Sequence, residues 1–386
     1  MSNYINTLSK AGKEIFKGKR VLLRLDLNVT ISETGGVADD FRIQQALPTI
    51  EFLRDAGAKT IILSHIGRHK GDSLEPVFEY MGRDMPLSFA PDLGEATVVQ
   101  AITALSDGSA VLVENLRRNE GEEKNTLAFA ERFAQFADIY VNDAFATSHR
   151  AHASIVSLPK LLPSYAGFLF EREIAHLSAA FDPPKPFLFI LGGAKFETKL
   201  PLIKRYLARA DMCFIGGALA HNFFKAKGYP LGSSLVDRRA DDISEILAAK
   251  NLFLPVDVRV KNKRGTEIKK PAAIQMDDQI LDAGPETLRM LDEKIQEAHF
   301  VLWNGPIGDY KISGFGEGTE TLVRSLVRRK FKDGELVLGG GDTAAVISRM
   351  RMTGAFPFIS TGGGAMLEYL AKGTLPGIEA LKSSAL

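Results

Sequence analysis

The strongest regularity in the sequence is a short apolar run that ends abruptly in polar or glycine-rich residues and is followed by an amphipathic helical pattern. The runs lie at 21–27, 60–63, 110–113, 138–141, 187–191, 212–215, 252–258, 300–303, 336–338 and 356–359. Amphipathic stretches such as 45–56, 127–136 and 200–210 lie between several of them. Short apolar runs that alternate with helices are typical of parallel sheets covered on both faces. The pattern predicts an α/β fold with two doubly wound, Rossmann-like parallel-sheet domains.

The length and one proline cluster indicate where the chain divides. A chain of 386 residues is long enough for two domains. A helical pattern over 171–181 is stopped by Asp182-Pro183-Pro184-Lys185-Pro186, because proline cannot continue a helix and favours an extended residue before it. We therefore predict a domain over 1–170, a connecting helix and linker over 171–186, and a second domain over 187–370.

The charge balance excludes several classes of partner. Lysine and arginine number 48 and aspartate and glutamate 47, so no global field favours nucleic acid or an anionic lipid surface. No apolar stretch approaches the roughly 20 residues that span a bilayer. The single cysteine, Cys213, lies in an apolar run, which predicts a buried structural thiol in a reducing compartment. We expect a cytoplasmic protein with no nucleic-acid or membrane partner.

In the first half, charged and hydrogen-bonding side chains follow the predicted strands. They lie at 26–28, 65–68, 114–118 and 142–143 continuing to 149–152, with Arg42 nearby. Ligands of open α/β sheets bind beyond the carboxyl ends of the strands. Arginines and a histidine that converge there would bind a small, multiply anionic molecule, because guanidinium pairs bidentately with carboxylate and phosphate. The acidic stretch Glu122-Glu123-Lys124 is interpreted as plain surface charge.

In the second half, the predicted strands end in glycines, at 192–193, 216–217, 305, 339–341 and 362–364. Glycine lets the backbone approach a ligand closely, and the N–H groups of a following helix suit phosphates. Lys195 and Lys199 are spaced for one helical face and could both reach a phosphoryl group. Asp342 follows three glycines and is placed to hold a hard cation such as Mg²⁺ among phosphates.

Absent motifs exclude several enzyme classes. The sequence has no G-x-x-x-x-G-K-[ST] phosphate loop and no early G-x-G-x-x-G fingerprint. It also has no protein-kinase H-R-D and D-F-G set, no G-x-S-x-G elbow and no Cys/His cluster with zinc spacing. The chemistry at the strand ends therefore belongs to none of these classes.

The motifs match one family in order along the chain. They lie at 24–29, 39–43, 63–68, 114–117, 140–145, 148–152, 191–195 with Lys199, 303–306, 339–343 and 360–365. With them the sequence resembles phosphoglycerate kinases over essentially its whole length. The resemblance implies reversible phosphoryl transfer between 1,3-bisphosphoglycerate with ADP and 3-phosphoglycerate with ATP, in glycolysis and with Mg²⁺. It also implies a monomer whose segment 371–386 returns to pack on the first domain.

The resemblance also assigns site residues. It implies that the first domain binds the phosphoglycerate through Asp26, Leu27, Asn28, Arg42, His65, Ile66, Gly67, Arg68, Arg117 and Arg150. It implies that the second domain binds the nucleotide through Gly193, Lys199, Asn304, Pro306, Lys311, Gly340, Gly341, Asp342 and Thr343, with Asp342 also on the metal. Arg42, Lys195 and Lys199 are the implied catalytic groups. Because the nucleophile is a carboxylate, already ionised near neutral pH, no general base is required.

The sequence departs from the family pattern at a few positions. Arg118-Asn119 stands where Phe-His is usual, Ala146 replaces a glycine, and His221 replaces an asparagine. Lys311 stands where the family usually places a glutamate that holds the nucleotide ribose. Either Lys311 faces the ribose, or it points into solvent while Asp309 takes over that contact.

Two functions of other classes stay open at this point. A nicotinamide-dependent oxidoreductase would also use a doubly wound fold, although the missing dinucleotide fingerprint opposes it. A non-catalytic binding or regulatory protein derived from a kinase is favoured only by Lys311, and opposed by Arg42, Lys195, Lys199 and Asp342.

Overall fold

A computed structural model describes residues 5–237 and 243–384 of the chain. These residues form two compact units. Unit 1 comprises the described residues up to Ala175 together with those from Lys372 onward, and unit 2 comprises His176–Ala371. Within the part of the chain described, no helix is both long enough and apolar enough to cross a membrane.

Unit 1 is built on a six-stranded sheet whose neighbouring strands are all parallel. Its strands are β1 (Arg20–Arg24), β2 (Lys59–Leu63), β3 (Leu87–Ala90), β4 (Ala110–Val113), β5 (Ile139–Asn142) and β6 (Ser164–Ala166). The helices up to residue 178 are α1 (Phe41–Asp55), α2 (Glu75–Met81), α3 (Glu95–Thr103), α4 (Glu120–Glu123), α5 (Leu127–Ala134), α6 (Leu158–Leu161) and α7 (Phe168–Ser178). The strand order β3-β4-β2-β1-β5-β6 reverses at β1, and doubly wound sheets bind ligands at such a reversal.

Unit 2 has a second six-stranded parallel sheet, in the order β15-β14-β13-β7-β8-β9, and a three-stranded antiparallel sheet, in the order β11-β10-β12. The strands are β7 (Phe187–Leu191), β8 (Met212–Ile215), β9 (Leu252–Phe253), β10 (Val258–Asn262), β11 (Gly265–Lys269), β12 (Gln279–Ala283), β13 (Phe300–Asn304), β14 (Leu336–Gly339) and β15 (Ile359–Ser360). The remaining helices are α8 (Phe196–Leu207), α9 (Leu219–Ala226), α10 (Ser244–Leu247), α11 (Pro285–Glu297), α12 (Glu317–Arg329), α13 (Gly341–Arg349), α14 (Gly364–Lys372) and α15 (Pro376–Lys382). The two parallel sheets confirm the predicted fold class.

The central strands are apolar along their length because both of their faces are covered. Every residue of β7 and of β13 is buried, as a parallel strand between two helical layers requires. Cys213 of β8 is likewise a buried free thiol, as predicted. The last helix belongs to unit 1, where the Gly377 N–H of α15 donates to the Ser148 carbonyl at 2.9 Å.

Several predicted element bounds were wrong. The run at 252–258 is not one strand: it divides into β9 and β10, because Pro255 has no N–H to donate and the Asp257 carboxylate instead accepts the Glu286 and Thr287 N–H groups of α11. The run at 21–27 ends as a strand at Arg24, and the run at 356–359 forms a strand only from Ile359. The short strands β3 and β6 and the antiparallel sheet had not been predicted, because their apolar patterns are brief or interrupted by charges.

Candidate active site

At one edge of unit 1 three neighbouring strands end in register. Arg24 of β1 pairs with Leu63 of β2 and with Asn142 of β5, so the loops that follow these strands emerge side by side. Asn28 links two of the loops, because its Oδ1 accepts the Gly67 N–H at 2.9 Å. The segments 26–28 and 65–68 therefore lie together at the carboxyl edge of the sheet, where a ligand of this fold binds.

These loops are fixed by buried partners. The side chains of Leu27 and Ile66 pack in the hydrophobic core of unit 1. The Leu27 N–H donates to Ser64 Oγ at 2.9 Å. Asn115 holds Ile66 twice: its Oδ1 accepts the Ile66 N–H at 3.3 Å and its Nδ2 donates to the Ile66 carbonyl at 2.8 Å. Leu27 and Ile66 thus keep their side chains in the core and contribute shape to the edge.

Asp26 places one carboxylate among the cations of this edge. Arg42, from the first turn of α1, donates from Nη1 to Asp26 Oδ2. The Asp26 Oδ1 lies 3.9 Å from His65 Nδ1 and accepts the Asn28 N–H at 3.2 Å. Burial lowers the pKa of Arg42, which nevertheless stays cationic because guanidinium titrates far above neutral pH. Asp26 therefore orients the Arg42 guanidinium at the edge.

His65 is neutral. It is buried, and burial together with the surrounding arginines, Arg24, Arg117, Arg150 and Arg42, holds its pKa well below the usual range. Its Nδ1 lies 3.3 Å from Nη2 of Arg24, a group that only donates. The His65 Nδ1 is therefore the acceptor, and its proton sits on Nε2, where it can donate to an anion.

The remaining predicted arginines differ in how many contacts their side chains make. Arg117 donates from Nη1 to the Gly67 carbonyl, and its Nε lies 3.3 Å from Glu123. Burial and the nearby Arg150 lower the pKa of Arg117. Arg68 and Arg150 are exposed. The Arg68 guanidinium makes no hydrogen bond or ion pair with the described residues, and both exposed arginines can turn toward a ligand.

Behind this edge lies a buried charge network that sequence reasoning missed. Arg24 is 1% exposed and donates from Nε to Ser154 Oγ at 2.9 Å. The Ser154 hydroxyl donates to Glu122 Oε1 at 2.5 Å, and the Ser154 N–H donates to Glu122 Oε2 at 2.9 Å. The interpretation of Glu122 as surface charge is wrong: its side chain is fully buried beneath Arg24. Burial raises the pKa of Glu122, against the opposing effect of Arg24. An arginine inside an apolar run was the signal for this network.

In unit 2 the corresponding edge is formed by the backbone of glycines, chiefly Gly193 and Gly305, and is named the glycine edge. Gly193 and Gly305 have φ of +90° and +88°, which favours glycine, and the Gly193 N–H donates to the Pro306 carbonyl at 2.8 Å. A Cβ on Gly305 would lie 2.5 Å from the Gly192 carbonyl oxygen. Lys199 of α8 is buried and donates to that same carbonyl. Burial lowers the pKa of Lys199 to about 8.

Lys195 and Lys199 do not share one exposed helical face. Lys195 precedes α8 as its N-cap and is exposed, whereas Lys199 is turned inward against the glycines. A ligand at the glycine edge would thus meet an exposed cation from Lys195 and a buried, hydrogen-bonded one from Lys199.

A cleft of about 460 Å³ opens beside these glycines. Among the predicted nucleotide residues it is lined by Gly193, Pro306, Lys311 and Asp342, and His221 and Asp309 also line it. The His221 Nδ1 donates to the Leu235 carbonyl at 2.6 Å, and burial lowers the pKa of His221.

The other predicted nucleotide residues support the cleft. Asn304 is buried, with Nδ2 3.7 Å from the Met366 sulfur. The Thr343 hydroxyl accepts the Gly305 N–H at 3.1 Å. Gly340, with φ of +101°, caps α13, whose first residue is Gly341. These residues fix the glycine edge rather than project into the cleft.

Asp342 lies at the first turn of α13, at the rim of the cleft, and its side chain is 56% exposed. Its Oδ1 accepts the Tyr310 hydroxyl at 2.8 Å and lies 3.7 Å from Lys311 Nζ. Within residues 5–237 and 243–384 no three His, Cys, Asp or Glu side chains are grouped as a metal site. One accessible carboxylate beside the glycine edge fits Mg²⁺, which usually takes one or two protein carboxylates and completes its shell with phosphates and water.

The chain was compared with families and proteins of known identity. The family model described as phosphoglycerate kinase matches residues 13–373. The phosphoglycerate kinase of Methylorubrum extorquens (strain PA1) is 42% identical, covering 98% of each chain. That of Caulobacter vibrioides (strain NA1000 / CB15N) is 40% identical, covering 95% of this chain and 97% of its own.

Solved structures agree with these sequences. Phosphoglycerate kinase from Coxiella burnetii is 34% identical with a TM-score of 0.82, covering 98% of both chains. That from Pyrococcus horikoshii OT3 is 29% identical with a TM-score of 0.85, covering 98% of this chain and 99% of its own. The similarity extends over both units and both candidate edges. The chain belongs to the phosphoglycerate kinase family.

Proposed function

We propose that this chain catalyses the reversible transfer of a phosphoryl group between ATP and the carboxylate of 3-phosphoglycerate, giving ADP and 1,3-bisphosphoglycerate. The observation that carries the proposal is the gathering of Arg42, Arg117 and His65 around the loops 26–28 and 65–68 at the edge of unit 1. A ligand with one carboxylate and one phosphate matches these groups. The oxidoreductase alternative is wrong, because the chain belongs to a kinase family.

In this proposal unit 1 binds the phosphoglycerate. Asp26 and Asn28 shape the pocket, while Arg42, Arg68, Arg117 and Arg150 supply positive charge and His65 donates from Nε2. Support comes from the fixed loops around Gly67 and from the exposed, uncommitted guanidinium of Arg68. The pocket would hold the ligand's carboxylate, already ionised, ready to attack.

Unit 2 would bind the nucleotide at its glycine edge and cleft. The backbone at Gly193 and Gly305 can approach phosphates closely, and the N-terminus of α13 presents N–H groups to them. Asp342 would hold Mg²⁺, which when bound neutralises charge on the phosphates. Lys195 and Lys199 would stabilise the charge that develops on the transferring group.

Catalysis of this reaction is a matter of position and electrostatics. A carboxylate nucleophile needs no base, so the protein's task is to align two polyanions and stabilise charge on the phosphoryl group. Arg42 is the residue of unit 1 to which we assign that second task, because Asp26 fixes its guanidinium at the edge.

A coupled assay with 3-phosphoglycerate, ATP and Mg²⁺ tests the proposal. We expect turnover in the native protein, and a fall of about 10²–10³ in kcat for Arg42→Ala, the usual cost of losing one transition-state stabiliser. Arg54→Ala is the matched control, because Arg54 is an exposed arginine of the same helix that, among the described residues, pairs only with its neighbour Asp55.

One outcome would contradict the proposed reaction, and another only the role of Arg42. No turnover in the native protein would favour the non-catalytic alternative. A raised KM with unchanged kcat in Arg42→Ala would show that Arg42 contributes uniform binding only.

The compartment and the oligomeric state belong to the same proposal. We propose a monomer that works in the cytoplasm, as expected of a glycolytic enzyme, and the single, buried Cys213 is compatible with a reducing compartment. Light scattering on the protein as it elutes from a size-exclusion column would show a mass of 42.2 kDa for a monomer.

A further inference from the structure

Three side chains form a small cluster at the rim of the unit 2 cleft. Asp342 is half exposed, and its Oδ1 accepts the Tyr310 hydroxyl at 2.8 Å. Lys311 Nζ lies 3.7 Å from the same oxygen, with its side chain 70% exposed. The other oxygen, Oδ2, accepts no hydrogen bond from the described residues. One face of the carboxylate is thus occupied by a hydroxyl and an ammonium group.

Tyr310 is held in place by a second cation. The Arg349 guanidinium carbon lies 5.6 Å from the centre of the Tyr310 ring, and Arg349 Nη1 donates to the Tyr310 carbonyl at 3.3 Å. Lys311 Nζ lies 5.7 Å from the same ring centre. Arg349 is itself anchored to Glu320 at 3.2 Å. These two cations beside the ring stabilise the position in which its hydroxyl contacts Asp342.

Charge at this distance changes what Asp342 can bind. A carboxylate attracts a divalent cation through its full negative charge and its free lone pairs. An ammonium group within 4 Å neutralises part of that charge and repels an incoming cation directly. The same ammonium, on a flexible stem, attracts a polyphosphate whether or not a metal accompanies it.

We propose that Lys311 is a specificity residue of the nucleotide site that weakens divalent-metal binding at Asp342 and supplies part of the missing charge itself. The chain would then bind a nucleoside diphosphate with a smaller dependence on divalent metal than Asp342 alone would give. The inference rests on the proposed function only in assuming that the nucleotide binds in this cleft.

The metal dependence of nucleotide binding tests this directly. Calorimetric titration gives the Kd of ADP in EDTA and in saturating Mn²⁺. The Kd in EDTA divided by the Kd in Mn²⁺ is the metal dependence of ADP binding. We expect Lys311→Met to raise that ratio about fivefold, the effect of removing one screened charge roughly 5 Å from a divalent cation. Lys263→Met, which removes an exposed charge in the turn between β10 and β11, is expected to leave the ratio unchanged.

A second background identifies the partner of Lys311. In Asp342→Asn the same Lys311→Met change is expected to leave the ratio within twofold, because the carboxylate that holds the cation beside Lys311 is gone. Electron paramagnetic resonance of Mn²⁺ in the ADP complex gives an independent measure of metal affinity and is expected to show the same pattern.

Three results would overturn the inference. One is an unchanged ratio in Lys311→Met, and another is an equal rise in the Asp342→Asn background, which would mean that Lys311 acts on the nucleotide alone. If the native protein binds no ADP with or without Mn²⁺, the proposed function fails together with this inference. Binding of ADP with an unchanged ratio overturns this inference and leaves the proposed function intact.

Discussion

The two candidate edges are built by different means. In unit 1 the edge is made of side chains, and its charges are held by a buried network that runs from His65 through Arg24 to Glu122. In unit 2 the edge is made of backbone, with left-handed glycines and one buried lysine, Lys199. A side-chain edge selects one small ligand by charge pattern, whereas a backbone edge selects the phosphate chain that many nucleotides share.

The stability of the two edges also depends on different conditions. A buried charge network is stable only while every charge keeps its partner. A left-handed glycine edge is stable only while no Cβ is present. Unit 1 should therefore be sensitive to loss of a charge and unit 2 to gain of a methyl group.

Removing the counter-charge of Arg24 should have the largest effect. Glu122→Ala leaves the Arg24 guanidinium buried without a carboxylate, and breaking a buried pair in this way costs about 3–5 kcal/mol. We expect that loss in the free energy of unfolding measured with urea. Glu120→Ala is the control, because Glu120 lies on the same helix but is exposed, and within the described part of the chain its only ion-pair partners are Lys70 and Lys124.

The unfolding free energies of the two variants show whether Glu122 belongs to a buried network or to the surface. We expect near-native stability for Glu120→Ala and a large loss of stability for Glu122→Ala. Equal stability of both variants would contradict the buried network and restore the interpretation of the whole acidic stretch as surface charge.

A methyl group at the unit 2 edge should have the next largest effect. In Gly305→Ala the Cβ would lie 2.5 Å from the Gly192 carbonyl oxygen and 2.8 Å from Lys199 Nζ, at a φ of +88°. Left-handed strain of about 1–2 kcal/mol and about 2 kcal/mol of overpacking together predict a loss of about 3–4 kcal/mol. The matched control is Gly314→Ala, which has a φ of +86° but no atom within 4 Å of its Cβ.

Calorimetric unfolding of both variants separates the cost of the close contact between the Cβ and the Gly192 carbonyl from the cost of the left-handed backbone strain. We expect Gly314→Ala to lose only the strain, and Gly305→Ala also to bind ADP more weakly because Lys199 is displaced. Equal losses in the two variants would show that backbone conformation alone decides, and that the glycine edge is not closely packed.

The contrast between the edges explains how much of the site the sequence could predict. The alternation of apolar runs with helices predicted both parallel sheets, since strands such as β7 are buried on both faces and read as continuous apolar runs. Residues at the carboxyl ends of those runs, such as Asp26 and His65, were predicted because parallel strands end at one edge.

The parts that escaped prediction depend on contacts between distant residues. Nothing local distinguishes Glu122, which is buried, from Glu123, which is exposed, because the difference arises from Ser154 and Arg24 packing over one of them. Likewise, the spacing of Lys195 and Lys199 suggested one helical face. However, α8 begins between them, and Lys199 is held against the glycines by its hydrogen bond to the Gly192 carbonyl. Tyr310 was not predicted, since its partner Asp342 is brought near only by the fold.

A buried carboxylate in unit 1 gives a pH-dependent effect. The Asp143 Oδ1 accepts the Phe170 N–H at 2.9 Å, while its Oδ2 has no hydrogen-bond partner among the described residues. Burial raises the pKa of Asp143 to about 6 from an ordinary 3.8. The folded state then binds this proton more tightly than the unfolded state, so Asp143 lowers stability as pH rises from about 4 to about 6, by up to about 3 kcal/mol.

Asp143→Asn removes that titration. We expect the stability of the variant relative to the native protein to increase between pH 4 and pH 6 and to level off above pH 6, as measured by urea unfolding at each pH. Other titrating groups cancel in the difference. A difference that is constant from pH 4 to pH 7 would mean that Asp143 ionises as readily as it does in the unfolded chain.

His65 should give the smallest effect, because its role is one hydrogen bond rather than a charge. Arg24 fixes its Nδ1 as an acceptor, and the surrounding arginines keep its pKa well below the usual range. His65→Gln keeps a donor near the Nε2 position, so we expect the Kd of 3-phosphoglycerate to rise only about two- to threefold, near the lower end of the roughly 0.5–1.5 kcal/mol of a whole hydrogen bond. His69→Gln, an exposed histidine of the same loop, is the control.

The decisive quantity is the ratio of the variant's Kd to that of the native protein at each pH. The ligand's own phosphate titrates in both proteins and cancels in the ratio. Since His65 is neutral on both sides of its ordinary pKa, the ratio should be the same at pH 6 and pH 8. A ratio several times larger at pH 6 would mean that His65 gains a proton there and binds the anion as a cation. Such a result would make the edge of unit 1 a titratable site, whereas Arg24 and its network otherwise keep its charge fixed.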